Sequence, residues 1–134
     1  REPCKPLKQH LEESALQAGL VTKTSASTNI TFQVLNRIAV EELEAWFFGD
    51  ISALNRAYPR VPISLGEKEK FRDPDAIIGG TWEALEKVLQ TYGYYSAGLP
   101  KIEAARNISQ YMDPIRNRSK SFQHFYKGLQ ALVE

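Results

Sequence analysis

The sequence predicts one helix-rich α/β domain with a single clear strand, at about residues 30–40, and five to six helices. Three observations predict it. Ile30, Phe32, Val34, Ile38 and Val40 alternate with Thr31, Gln33 and Arg37 at the period-two spacing of a half-buried strand. Elsewhere apolar residues recur at helical spacing between proline and glycine stops. A chain of 134 residues, 43% hydrophobic and 25% charged, with no repeat and no linker, suits one core over residues 1–134.

Pro6, Leu7, Leu11, Ala15 and Ala18 give a helix over 5–18 that starts with a tolerated proline and stops at Gly19. Thr22 to Asn29 is Thr/Ser-rich and without period, so it reads as an exposed connection into the strand. Leu43, Trp46, Phe47, Ile51 and Leu54 then return to helical spacing, broken near Gly49-Asp50, where Asp50 can cap a second short helix. Three prolines and a Glu-Lys-Glu-Lys run make Pro59 to Pro74 a long surface loop. Trp82, Leu85, Val88, Leu89 and Tyr92 mark a helix from Gly80 to Gly93, and Ile102, Ala105, Ile108 and Met112 mark another between Pro100 and Asp113-Pro114. Phe122, Phe125, Tyr126, Leu129, Leu132 and Val133 form the clearest amphipathic stripe, with Ser119 or Ser121 as its cap.

With 17 basic and 16 acidic residues, bulk charge offers no attraction to nucleic acid or membranes, and electrostatic arguments must be local. The lone Cys4 excludes an intramolecular disulfide, and His10 and His124 have no partners at zinc-ligand spacing, which fits a reducing cytosol. No apolar run approaches the ~18 residues that span a bilayer, and no signal segment opens the chain, so it reads as cytoplasmic and the sequons at Asn29, Asn107 and Asn117 as chance matches. One strand alone leaves its backbone groups unpaired. Its neighbours are weak strands in the loops, a second copy at the edge, or an N-terminal portion of a longer protein, the last favoured by the start Arg1-Glu2-Pro3.

Local charge is uneven. Glu41, Glu42, Glu44 and Asp50 surround Trp46-Phe47-Phe48. On a helix, Glu41 and Glu44 share a face while Leu43, Trp46 and Phe47 point to the core. Carboxylates at a strand-to-helix junction are the hard oxygen ligands that hold Mg2+ or Mn2+, commonly for phosphoryl transfer. They equally suit a metal-free first helical turn, where the dipole stabilises each by ~0.3–1 kcal/mol. Between residues 99 and 128 the sign reverses to a net of +4, and Arg116-Asn117-Arg118-Ser119-Lys120-Ser121 offers guanidinium forks and hydroxyls to a phosphate, or forms a solvated loop with a serine cap. Tyr92, Tyr94 and Tyr95 can stack bases or pack in a core. No Ser-His-Asp set, phosphate loop or paired CxxC is present.

Cys4-Lys5-Pro6-Leu7-Lys8, Ala39-Val40-Glu41-Glu42-Leu43-Glu44-Ala45-Trp46, Tyr95 to Lys101, and Ser119 to Phe125 together resemble, in that order, an uncharacterised bacterial family catalogued as domain of unknown function 4276. That family is similar to Toprim proteins and, distantly, to the overcoming-lysogenization-defect nucleases. The resemblance implies a Toprim-like remnant, the C-terminal portion of a longer protein, because the aspartate pair that binds metal in the family precedes the segment matching Arg1 to Lys8. It further implies a nuclease in defence or DNA processing that cleaves phosphodiesters in nucleic acid with Mg2+ or Mn2+. Glu41, Glu42, Glu44 and Asp50 would ligate the metal, with Glu41, Glu44 and Lys101 catalytic and Arg116, Arg118 and Ser121 on phosphate. The alternative it leaves is a non-catalytic interaction module that docks on an ATPase through the strand edge and the last helix, with a homo-oligomer through the same edge.

Overall fold

In a computed structural model, described for residues 4–28 and 30–134, the chain forms seven α-helices among the described residues: α1 (Cys4–Gln17), α2 (Glu44–Gly49), α3 (Ile51–Ala57), α4 (Glu69–Arg72), α5 (Thr81–Thr91), α6 (Lys101–Ser109) and α7 (Lys120–Val133). The loop expected from Pro59 to Pro74 contains α4 and a 3-10 turn at Ile63–Glu67, with a second such turn at Pro74–Ala76. The start Arg1-Glu2-Pro3 and Asn29 of the first sequon lie outside the described residues. None of the described helices is long and apolar enough to cross a membrane.

The expected strand at 30–40 is corrected. Among the described residues the only ladder is one parallel bridge, Thr22 with Val34. Val34 N–H donates to the Val21 carbonyl at 3.1 Å, and Lys23 N–H to the Val34 carbonyl at 2.9 Å. The period-two pattern determines which side chains share a face, but a ladder needs a second extended segment. The residues before Asn29 turn instead, as Ser25 and Ala26 donate back to the Thr22 carbonyl. The fold is therefore helix-rich with almost no strand content.

The chain divides into two compact units, Arg1–Ile38 with His124–Glu134, and Ala39–Gln123. No change of composition marks this division. The buried apolar core lies in the second unit. Phe47 and Phe48 from α2, Ile51 and Leu54 from α3, Leu85, Val88 and Leu89 from α5, and Ile108 from α6 close around Leu65, Phe71 and Ile77. Phe48 stacks on Phe71, with ring centroids 5.0 Å apart at 14°. The tyrosines belong to the same packing. Tyr58 is buried with Tyr94 and Tyr95 edge-on to it at 4.9 and 5.8 Å, and the Tyr95 hydroxyl donates to Glu103 at 2.7 Å. Burial, together with the hydrogen bonds to Tyr58 and Glu103, pushes the Tyr95 hydroxyl well above its ordinary pKa.

In the first unit, α1 has no buried residue, and Leu35 rests on α7 at Gly128. A Cβ at position 128 would lie 2.6 Å from Leu35 Cδ2, so a larger residue there would have to displace the end of the Leu35 side chain.

Leu85 is fully buried on the inner face of α5. Leu85→Ala is expected to cost about 2–5 kcal/mol through lost contact and the residual cavity. Urea unfolding should show a lower midpoint with an unchanged slope.

Candidate functional site

The acidic stretch is built into the fold by three separate anchors. The first is Glu42. Its Oε2 accepts hydrogen bonds from the N–H of Thr81 at 3.0 Å, the N–H of Trp82 at 2.9 Å and the Thr81 hydroxyl at 3.1 Å. These are the donors that the first turn of α5 leaves without intrahelical partners, and α5 has no side-chain cap of its own at Gly80. Burial pushes the Glu42 carboxyl up; the bonds from Trp82 and Thr81, with the charge of Lys101, outweigh it and hold the group below the usual carboxylate range. Lys101 Nζ stands 4.2 Å over the Trp82 ring, so Lys101, Trp82 and Glu42 form one cluster at the start of α5.

Asp50 is the second anchor, and its side chain is fully buried. Oδ1 accepts from Ala53 N–H at 3.1 Å, capping α3 as the sequence predicts. The same carboxylate holds the Arg116 guanidinium as a fork, Nε to Oδ1 at 2.9 Å and Nη2 to Oδ2 at 3.0 Å, and accepts from Asp113 N–H at 2.9 Å. Burial pushes Asp50 up; the Arg116 and backbone hydrogen bonds prevail and depress it, while the bond from Asp50 raises Arg116. Arg118 follows. Its N–H donates to the Gly49 carbonyl at 2.9 Å, and its guanidinium lies across Gly66, where an added Cβ would meet Nη2 at 2.8 Å. Arg116 and Arg118 thereby share a cleft of about 220 Å3 with Ser52, Ile63 and Glu67.

The third anchor, Asp75, escaped the sequence reading. Its Oδ2 accepts from Ser121 N–H at 3.0 Å, and its Oδ1 from the hydroxyls of Ser119 at 2.7 Å and Ser121 at 3.1 Å. The N-terminus of α7, expected to receive a phosphate at Ser121, holds this carboxylate instead. Ser119 Oγ caps the helix by accepting from Phe122 N–H at 3.1 Å, and Trp46 Nε1 donates to Ser121 Oγ at 2.9 Å. Asp75 directly follows the stretch Pro59 to Pro74 read as a surface loop. Its only sequence signal is the pair of serines around Lys120, whose donors require an acceptor.

The structure thus brings the expected residues together in a different grouping. Glu42 joins Lys101, Asp50 joins Arg116 and Arg118, and Ser121 joins Asp75. Glu41 stands at φ 70, a left-handed conformation that costs a non-glycine residue about 1–2 kcal/mol, and α2 begins only at the buried Glu44. The expected helical face shared by Glu41 and Glu44 is therefore corrected, since Glu41 precedes the helix. Among the described residues no three His, Cys, Asp or Glu side chains gather as a ligand set. Of the four carboxylates expected to hold a metal, Glu42 commits one oxygen to three donors, and both oxygens of Asp50 face a cation and backbone amides.

Two outcomes follow for the anchors. Asp50→Ala removes a cap and leaves the N–H groups of Ala53 and Asp113 without their acceptor, which is expected to cost about 3 kcal/mol in chemical unfolding, and Arg116→Ala, which strands the buried Asp50 carboxylate without its cation, is expected to cost about as much. For Glu42 the folded pKa is depressed, so its contribution is fully present above the ordinary carboxylate range and is lost as pH falls through the folded value, from about pH 5 downward. Glu42→Gln should therefore lower the melting temperature at neutral pH and flatten its fall on acidification.

No curated protein and no solved structure matches the chain. One family profile does, described as Domain of unknown function (DUF4276), over residues 2–130. The match takes in nearly the whole sequence, with both the Glu42 and the Asp50 clusters inside it, and on that ground the chain belongs to the DUF4276 family.

Proposed function

We propose that the chain is a non-catalytic protein-interaction module that docks through the unit Arg1–Ile38 with His124–Glu134. One observation carries the reading: none of the buried apolar side chains described lies in that unit. Leu16 is 50% exposed on α1, Ile30 54% and Val133 84%. Ordering a layer of chain costs conformational entropy that only burial offsets. An amphipathic layer without a core of its own gains that burial by covering a partner. The anchors agree with a structural use of the acidic stretch, because Glu42, Asp50 and Asp75 each hold a helix start. The partner class that the family resemblance implies is an ATPase.

A second reading keeps the chain as the C-terminal portion of a longer Toprim-like nuclease acting on nucleic acid with Mg2+ or Mn2+. What favours it is Arg118, whose guanidinium is positioned on Gly66 and donates to no described residue. In that reading the metal ligands lie outside this chain, and Arg118 contacts phosphate.

Thermal melting in millimolar MgCl2 or MnCl2 separates these readings from a metal site at Glu41 and Glu44. Ligand binding to the native state raises the melting temperature by mass action. The wild type and Glu44→Ala are expected to respond alike. A rise in the wild type that Glu44→Ala abolishes would contradict the proposal. Binding of labelled single-stranded DNA that weakens in Arg118→Ala would favour the second reading over the first.

A further inference from the structure

We infer that the backbone edge at residues 35–38 pairs with the same edge of a second copy of this chain, as an antiparallel two-stranded ribbon backed by α7. The inference adds a second copy, beside the ATPase, as a partner of the docking unit proposed above and rests on that reading.

Residues 35–39 run without helix, turn or bend. The N–H groups of Leu35, Asn36, Arg37 and Ile38 donate to no described residue, and the carbonyls of Leu35, Arg37 and Ile38 accept from none. Val34 turns its N–H and carbonyl toward Val21 and Lys23. Strand alternation then directs the groups of Leu35 and Arg37 to the opposite, open edge. Unpaired main-chain donors and acceptors at that spacing are met by another extended polypeptide. Nucleic acid and lipid offer no matching ladder.

A second copy brings a matching edge. With the two-fold axis at Asn36, Leu35 of each copy exchanges N–H···O bonds with Arg37 of the other, and Val34 lies opposite Ile38. No like charges oppose one another. The Arg37 guanidinium is drawn aside to the carbonyls of Asn36 at 3.0 Å and His124 at 3.4 Å. A two-stranded ribbon is marginal alone but is stabilised by a helix against its face, and Leu35 already seats on Gly128 of α7. The two-fold arrangement closes on itself, so pairing stops at the dimer.

The test is light scattering on the full chain, on the order of 10 µM and above, with two substitutions at one position. Arg37→Ala keeps the N–H and should remain dimeric like the wild type. Arg37→Pro deletes the N–H that the ribbon needs and should raise the dimer dissociation constant at least about tenfold. The melting curves of the two variants should coincide under conditions where both are monomeric. A dimer that Arg37→Pro leaves intact overturns the ribbon. A wild type that is monomeric throughout overturns the second copy, and amide exchange then separates the two proposals. Fast exchange at 35–38 retains the docking unit, whereas slow exchange removes both.

Discussion

The buried carboxylate of Asp50 is the constraint on which the rest of the second unit depends. It caps α3 and receives Asp113 N–H from the far end of the α6 region, and it forks onto Arg116 in the loop that leads to α7. One side chain thus fixes three segments distant in sequence. Its charge stays in place because the hydrogen bonds and the Arg116 cation outweigh the cost of burial. Through the Arg118 N–H on Gly49, the same loop is tied to the end of α2.

Glu42 and Asp75 repeat this physics at other helix starts. In each case a carboxylate from elsewhere in the sequence meets amide donors that a helix cannot satisfy internally. The left-handed backbone at Glu41 lies immediately before Glu42 in the turn that leads into α2, so local strain is set against three hydrogen bonds. The clustering of acidic residues beside Trp46-Phe47-Phe48 follows from this architecture. A core assembled from short helices exposes many helix N-termini per residue, and those of α3, α5 and α7 each hold a carboxylate.

Helices were legible in the sequence where their boundaries carried proline, glycine or a capping aspartate. The first helix, the Asp50 cap, the helix from Gly80 to Gly93 and the last helix all stand close to expectation. What was not legible depended on contacts distant in sequence. Period-two alternation at Ile30, Phe32 and Val34 defines a face but not a neighbour, and the chain supplies one bridge. The spacing of Glu41 and Glu44 suggests a shared helical face, but the helix begins at Glu44, and Glu42 reaches a turn 39 residues away. Arg116 and Arg118 read as equivalent phosphate contacts, yet only the fold reveals that Asp50 neutralises the first. The family match extends from residue 2 to 130, so these arrangements are features of the matched region itself.

Carboxyl-detected NMR titration of the side chains, in the absence and then the presence of substoichiometric Mn2+, tests most directly whether the acidic stretch is an anchor or a ligand set. The anchoring account predicts that Glu42 and Asp50 titrate below ordinary carboxylates and that Mn2+ broadens them no more than exposed acidic residues such as Glu13 or Glu69. Selective broadening of Glu41, Glu42, Glu44 and Asp50 together, with displacement of Arg116 from Asp50, would contradict it.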